Sequence, residues 1–155
     1  MTGAGFKVPE TIVVSVSPKD PRKSARRKEV QHMLSGAGEK AACVSVSSLY
    51  KLEGRLSHAE IEKIVRELLC DPIAETYAVN DAPRASGIRF VDVWFKPGVM
   101  DPAGDSVLKA ARDLNVPALF RAACGTRFVF RGEVSIAASR ELLNPLIQEC
   151  KVVQG

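Results

Sequence analysis

Alternating apolar residues mark two segments of the chain as β-strands. The alternating positions are Ile12, Val14 and Val16 in the first segment, and Val91, Val93 and Phe95 in the second. A side-chain period of two is that of a strand with one face buried. Each segment reaches a proline, and an Asp-Pro dipeptide that favours the start of a helix follows at residues 20–21 and 101–102. The pattern therefore predicts a strand followed by a helix, twice.

Two other stretches have the apolar period of an amphipathic helix. Asp101 is a good N-cap and Pro102 suits the first helical position. The apolar face that follows comprises Val107, Leu108, Ala111 and Leu114. Ser57 and Glu60 have the spacing of a capping box. The apolar face after this box comprises Ile61, Ile64, Val65 and Leu68. We expect both helices to cover a sheet.

The remaining segments also occur twice, which indicates an internal repeat. Residues 44–54 align with residues 122–132, and each copy is interpreted as a strand, a bend and a strand that ends on glycine. A leucine-rich helix that stops before a proline, followed by a short strand, closes each half at residues 67–73 and 141–146. Each half is therefore predicted to be β-α-β-β-α-β.

This order of elements predicts the fold class. A β-α-β-β-α-β unit folds as an antiparallel sheet with two helices on one face, the ferredoxin-like arrangement. We expect an α+β protein with one such unit over residues 10–80, a polar linker at 81–87 and a second unit over 88–153. A half of about 75 residues is small for independent stability. We therefore expect the halves to pack sheet against sheet or edge to edge, as an intramolecular pseudo-dimer.

Composition places the chain among ordinary globular proteins. It has 155 residues, of which 46% are hydrophobic and 26% are charged. No apolar stretch approaches the roughly 18 residues of a transmembrane helix. Residues 1–10 lack the charged and apolar blocks of a signal peptide. We expect a cytoplasmic protein that does not contact membranes.

The net charge of +4 is concentrated in one segment. Residues 19–28 carry one acidic side chain, Asp20, and six basic ones: Lys19, Arg22, Lys23, Arg26, Arg27 and Lys28. Cations four residues apart repel each other on a helix unless an anion or a partner neutralises their charge. The segment is a solvated helix face, a docking surface for an acidic protein, or a nucleic-acid surface. Nucleic acid is the interpretation that we favour least.

Motifs that carry catalysis or ligand binding are missing from the sequence. It contains no phosphate-binding loop, no dinucleotide-binding glycine pattern and no nucleophile elbow. The four cysteines form no C-x-x-C pair, and only His32 and His58 could complete a zinc set. Phe128 and Phe130 are expected in the core, because the segment around them lacks the other aromatic residues of an RNA-binding strand. We expect no bound cofactor, no metal and no active site in this chain.

Residues 93–107, with the sequence VWFKPGVMDPAGDSV, resemble the opening signature of PurS, the small subunit of phosphoribosylformylglycinamidine synthase. They meet the pattern K-P-G-V-x-D-P-x-G-x-A-V at every fixed position except the alanine, which is Ser106. The closing pattern of the family, L-L-x-N-P-V-I-x-x-Y-x-V, is similar to residues 68–79 and, with one residue deleted, to residues 142–152. The first half has lost the lysine-proline-glycine. Residues 49–57 are also similar to the N-terminal region of the large fused synthase chain.

The resemblance implies a subunit without catalysis of its own in purine biosynthesis. In the family, a PurQ-type glutaminase releases ammonia from glutamine, and a PurL-type synthetase uses ATP and Mg. PurS bridges the two subunits so that ammonia reaches the synthetase. A PurS chain normally has one unit and self-associates, so this chain corresponds to a dimer fused into one polypeptide.

The resemblance also implies candidate docking residues for these partners. In the second half they are Lys96, Pro97, Gly98, Asp101, Pro102 and Gly104. In the first half, the basic residues that could replace the lost loop are Lys19, Arg22, Lys23 and Arg26. The alternative for the loop is a purely structural role, since proline fixes φ, glycine permits a tight bend and Asp101 caps a helix. The alternative for the whole chain is a stand-alone ferredoxin-like module that binds a regulatory ligand or RNA.

Overall fold

An antiparallel sheet of six strands is the frame of the computed structural model, which describes residues 10–154. The strands are β1 (Glu10–Pro18), β2 (Ala42–Gly54), β3 (Glu75–Val79), β4 (Ile88–Phe95), β5 (Leu119–Arg131) and β6 (Gln148–Gln154). Their order is β3-β1-β2-β5-β4-β6, and every neighbouring pair is antiparallel. The chain is therefore an α+β protein. The expectation that residues 1–10 hold no signal peptide concerns residues that, apart from Glu10, lie outside the described part of the chain.

The described helices lie on one face of this sheet. They are α1 (Ala25–Gly36), α2 (His58–Ile64), α3 (Pro102–Asp113) and α4 (Ile136–Arg140). The strand registers place Ile12, Val14 and Val16 of β1, and Val91 and Val93 of β4, on the face that these helices cover. A π-helical turn over Val65–Leu69 continues α2.

The predicted helix starts are confirmed for α2 and α3. Ser57 and Glu60 form both hydrogen bonds of the capping box, and Asp101 caps α3 with Pro102 at its start. The start predicted at Asp20 is wrong for the α-helix. Residues Pro21–Lys23 form a 3-10 turn that Asp20 caps, and α1 begins only after Ser24, whose hydroxyl accepts from the Arg27 amide.

The bend predicted in the middle of each half is absent. Strands β2 and β5 are each continuous over 13 residues, and they pair with each other from Ala42↔Arg131 to Gly54↔Leu119. Residues 44–49 contain no glycine, proline or asparagine to make a tight turn. In β5, Gly125 lies under Trp94, where a Cβ would come within 2.6 Å of the ring. Each half is therefore β-α-β-α-β.

The two cores exchange elements between the halves. The first core joins β1, the end of β2 and α2 with Ala111 of α3 and Leu119 at the start of β5. The second core joins β4, the end of β5 and α4 with Val30 and Leu34 of α1 and Cys43 at the start of β2. Each core thus takes one helix and half of a long strand from the other half of the chain.

The halves meet edge to edge through β2 and β5, and the alternative of sheet against sheet is not observed within residues 10–154. The sheet order reads the same from either edge when β1, β2 and β3 are matched with β4, β5 and β6. Residues 81–87, the predicted linker, contain no helix or strand.

The leucine-rich helix predicted near residues 141–143 is wrong. Helix α4 ends at Arg140, and Leu142 is buried from the turn that follows it. The first half has room for α2 and its π-helical turn between Gly54 and Glu75, while the second half has fewer residues between Gly132 and Gln148. The shorter connection between β5 and β6 leaves room for an α-helix of little more than one turn.

Candidate functional site

The loop after β4 projects Lys96, Pro97 and Gly98 into solvent. The Lys96 amide donates to the Ile147 carbonyl at 2.8 Å, and the Val99 amide donates to the Lys96 carbonyl at 3.1 Å. Gly98 has φ +84 with open space around it, so backbone conformation is the reason for glycine there. Met100 is 77% exposed. The loop is anchored at its base and presents a cation and an apolar side chain at its tip.

The rest of the signature holds the loop in place. One oxygen of Asp101 accepts from the Gly104 amide at 2.9 Å, and the other accepts from the Cys124 amide of β5 at 2.8 Å. A Cβ on Gly104 would lie 2.4 Å from the Ala122 carbonyl oxygen, so α3 can approach β5 this closely only with glycine here. Pro102 begins α3. These three residues connect the loop, α3 and β5, and Lys96, Pro97 and Gly98 remain the exposed docking candidates.

A cleft of about 490 Å³ opens between this loop and the helix-free face of the sheet. Its walls include Lys51, Trp94, Arg121 and Glu149. The Lys51 ammonium lies 4.4 Å from the centre of the Trp94 ring, and Arg121 is 3.5 Å from Glu53. The walls carry both cations and anions. As a ligand of this cleft, a polar protein surface with charges of both signs fits better than a simple anion.

In the corresponding loop of the first half, basic side chains are hydrogen-bonded to other residues of the chain. The Lys19 ammonium donates to the Pro72 carbonyl at 2.7 Å. Arg22 donates to Asp20 through its backbone amide at 3.1 Å and its guanidinium at 3.0 Å. The side-chain hydrogen bond from Arg22 holds the pKa of Asp20 below its usual value. Lys19 and Arg22 therefore already have partners within the chain.

The basic helix α1 also uses part of its charge internally. Arg27 donates to the Pro21 carbonyl at 3.1 Å and to the Cys43 carbonyl at 3.4 Å. Arg26 pairs with Glu29 at 3.4 Å and lies 5.6 Å from the centre of the Phe128 ring. The side chains of Lys23 and Lys28 make no hydrogen bond or ion pair with residues 10–154. The free cations of this segment are thus two lysines.

The structure does not bring the two sets of docking candidates together. Strand β1 is antiparallel to β2, β2 to β5, and β5 to β4, so β1 and β4 run in opposite directions. The loops that follow them, at residues 19–20 and 96–100, therefore lie at opposite ends of the sheet. The chain presents two separate surfaces.

Sequence reasoning missed a polar row that crosses all six strands on the helix-free face. The aligned residues are Thr76, Ser17, Ser47, Arg127, Asp92 and Lys151. In its centre Arg127 donates to both Asp92 oxygens, at 2.7 and 2.8 Å, and each side chain is 7% exposed. The signal in the sequence is Asp92, a carboxylate with apolar residues on both sides in β4.

The thiols and imidazoles form no reactive pair that we can identify among residues 10–154. Burial raises the pKa of Cys43 to about 11 and that of Cys124 to about 12, so both thiols are neutral near pH 7. All four cysteines are free. Over the same residues, no cluster of three or more His, Cys, Asp or Glu side chains could hold a metal ion. None of the described helices is long and apolar enough to span a membrane.

No protein-family model matches the chain, and no curated protein matches its sequence.

Proposed function

We propose that the chain is a PurS-like bridging subunit of phosphoribosylformylglycinamidine synthase, in which two ferredoxin-like units are fused as a pseudo-dimer. The observation that carries the proposal is the position of the two diverged loops at opposite ends of one symmetric sheet. A subunit that bridges two different partners needs two separate and unlike surfaces.

The exchange between the cores supports the pseudo-dimer. Each core lies on one face of four neighbouring strand segments, with two helices on that face, as in a ferredoxin-like unit. In each unit, one helix and the outermost segment toward the other unit come from the other half of the chain. Two separate chains that exchanged these segments would form the same arrangement as a dimer.

The loop chemistry supports a protein partner on each side. On one side Lys96 and Met100 are exposed next to Pro97 and Gly98, on a loop held firmly by Asp101. On the other side the free cations are Lys23 and Lys28. A rigid loop loses little conformational entropy when it docks. A pair of free lysines fits an acidic surface.

The test is reconstitution with a PurL-type synthetase and a PurQ-type glutaminase, in the presence of glutamine and Mg-ADP. We expect co-elution in size-exclusion chromatography and stimulation of glutamine-dependent synthesis. Lys96→Glu should weaken assembly by about tenfold through charge reversal. The matched control is Lys109→Glu, an exposed change on α3. Absence of both co-elution and stimulation with the unmodified chain contradicts the proposal.

An RNA-binding module is the second candidate, and the two free lysines of the basic segment favour it. We expect that Lys23→Glu with Lys28→Glu would abolish salt-dependent RNA binding in that case. Arg27 is unsuitable for this test because it holds α1 to Pro21 and Cys43. If the unmodified chain has no salt-dependent affinity for RNA in a filter-binding assay, this candidate is wrong.

A further inference from the structure

A second cleft, of about 470 Å³, opens on the helix face of the sheet beside the short helix α4. It lies on the opposite face from the cleft at the Lys96 loop. Its lining residues include Arg89, Val91, Val134, Ser139, Arg140 and Val152. Ligand sites are typically concave and mostly apolar, with a few polar groups that orient the ligand. This lining has that composition.

The cleft exists because the second half covers its sheet less completely than the first. In the first half, the seven residues of α2 and the five of the π-helical turn place Ile61, Leu68 and Leu69 on the core. In the second half, α4 has only five residues. The residues of the edge strand β6 beside it stay accessible, and Val152 is 48% exposed.

Comparison of the two halves shows how the cleft changed its chemistry. Ser57 and Ser135 are the caps of α2 and α4, so Ser139 corresponds to Ile61 and Arg140 to Glu62. Matching β1 with β4 places Arg89 where the first half has Glu10. The second half thus has a hydroxyl where the first has an apolar side chain, and two arginines where the first has two acidic residues. All three changes line the same cleft.

Ser139 is the polar group in this cleft that most needs a partner. It is 8% exposed, yet its hydroxyl makes no hydrogen bond with residues 10–154. Its backbone groups are both paired, since its amide donates to the Ser135 carbonyl and its carbonyl accepts from the Leu142 amide. Buried hydroxyl groups in proteins are nearly always hydrogen-bonded. An acceptor inside the cleft would satisfy this one.

The charges at the rim select the kind of acceptor. The Arg89 guanidinium is 3.1 Å from Glu133, whose own side chain is 87% exposed. Arg140 is exposed and forms no ion pair within the described part of the chain. One uncompensated cation therefore stands beside an apolar cleft that contains an unpaired hydroxyl donor. A single carboxylate complements both groups.

We propose that this cleft binds a small aliphatic carboxylate. The aliphatic chain lies against Val91, Val134 and Val152, and the carboxylate pairs with Arg140 and accepts a hydrogen bond from Ser139. The inference does not rest on the proposed function, because neither the Lys96 loop nor the basic segment takes part in it.

The first test is isothermal titration calorimetry of the full chain with butyrate, octanoate and dodecanoate, and with octanol as the uncharged comparison. We expect saturable binding of at least one carboxylate and no saturable binding of octanol. Arg140→Ala should weaken the affinity by about tenfold, since it removes a charge-assisted pair. The matched control is Arg112→Ala, an exposed change at the end of α3. If no carboxylate binds, or if both variants weaken binding equally, the proposal is overturned.

Two further variants separate this site from nonspecific binding. Glu133→Gln frees Arg89 and removes a repelling charge, so carboxylate affinity should rise by about threefold or more. Val152→Trp fills the cleft from an exposed position and should abolish binding while circular dichroism stays unchanged. If Glu133→Gln weakens binding, or if the folded Val152→Trp variant binds as the unmodified chain does, the site is not this cleft.

Discussion

At the scale of single residues, Asp92 and Arg127 form a bidentate ion pair that is almost removed from solvent. Arg127 also lies 4.3 Å from the centre of the Phe90 ring, so its guanidinium is held from two sides. Burial of two charges is costly unless both are paired and hydrogen-bonded. The geometry here meets that condition, and loss of either partner leaves the other charge buried alone.

We therefore predict that Asp92→Ala destabilises the protein by about 3–5 kcal/mol. The combined change Asp92→Val with Arg127→Met should be far milder, within about 1 kcal/mol of the unmodified chain or more stable, because it removes both charges. Urea unfolding of the single and combined variants measures the coupling. Destabilisations that simply add would show that the two charges are not coupled in the folded state.

The thiols of Cys43, which is buried, and Cys124, which is half-buried, give a prediction for stability at alkaline pH. Burial raises the pKa of Cys43 to about 11 and that of Cys124 to about 12, from an ordinary value of 9.0. The folded state holds these protons more tightly than the unfolded state does. The two protonated thiols therefore contribute fully to the free energy of unfolding below about pH 9. This contribution is lost as the pH rises toward the pKa values that the two thiols have in the folded protein.

Urea unfolding at about pH 8 and about pH 10.5 should therefore show a loss of stability that is smaller in a Cys43→Ala, Cys124→Ala variant. The comparison is made within each variant, because alanine also leaves small cavities. An identical alkaline loss in both proteins would assign it to other groups.

At the scale of secondary-structure elements, Asp101 connects three parts of the second half. It ends the Lys96 loop, caps α3 at Gly104 and satisfies the Cys124 amide of β5. Local sequence predicted the cap, because aspartate before proline is a standard helix start. The hydrogen bond from the Cys124 amide of β5 could not be predicted, since it depends on where α3 packs on the sheet.

We predict that Asp101→Ala destabilises the protein by about 2–4 kcal/mol, which is more than a helix cap alone contributes, because it also leaves the Cys124 amide without its acceptor. Asp113→Ala, at the exposed end of the same helix, is the matched control and should change stability by less than about 0.5 kcal/mol. Thermal unfolding of both variants is the measurement. Equal effects would show that the bond to β5 adds nothing.

The elements that sequence predicted well share one property: their signals are local. The capping box at Ser57 and the alternation in β1 and β4 are read within a few residues. Two of the failures, the bend inside β2 and β5 and the length of α4, concern features that are not local. A segment such as residues 44–49 forms a strand with or without a bend, and only the availability of a partner strand decides between them.

At the scale of the whole molecule, the exchange between the cores makes each half incomplete alone. The first half lacks the α3 and β5 residues of its core, and the second lacks α1 and the start of β2. We predict that fragments 1–80 and 88–155 do not form stable monomers separately. They should reassemble as an equimolar complex when mixed.

Size-exclusion chromatography and dye binding to exposed apolar surface would measure this. Each fragment should be unfolded or self-associated alone, and dye binding should fall on mixing. Two separate fragments that were monomeric, stable and without dye binding would contradict the exchange.

The candidate surfaces were only partly predictable. The Lys96 loop was found from a contiguous motif, and its exposure agrees with a docking role. The division of the basic residues into paired and free ones required the structure, since Arg27 reaches Cys43 in another element. The polar row and the cleft beside α4 are assembled from residues far apart in the chain, so no motif could indicate them.

The sequence by itself determined the α+β class and the starts of α2 and α3, because alternation, capping and turn residues act over short distances. Only the tertiary structure decided that β2 and β5 are continuous strands, that the halves exchange a helix and half a strand, and that the two loops lie at opposite ends of the sheet. Strand pairing is a choice between distant partners of similar local propensity. Total burial of both cores, rather than any local signal, selects among them.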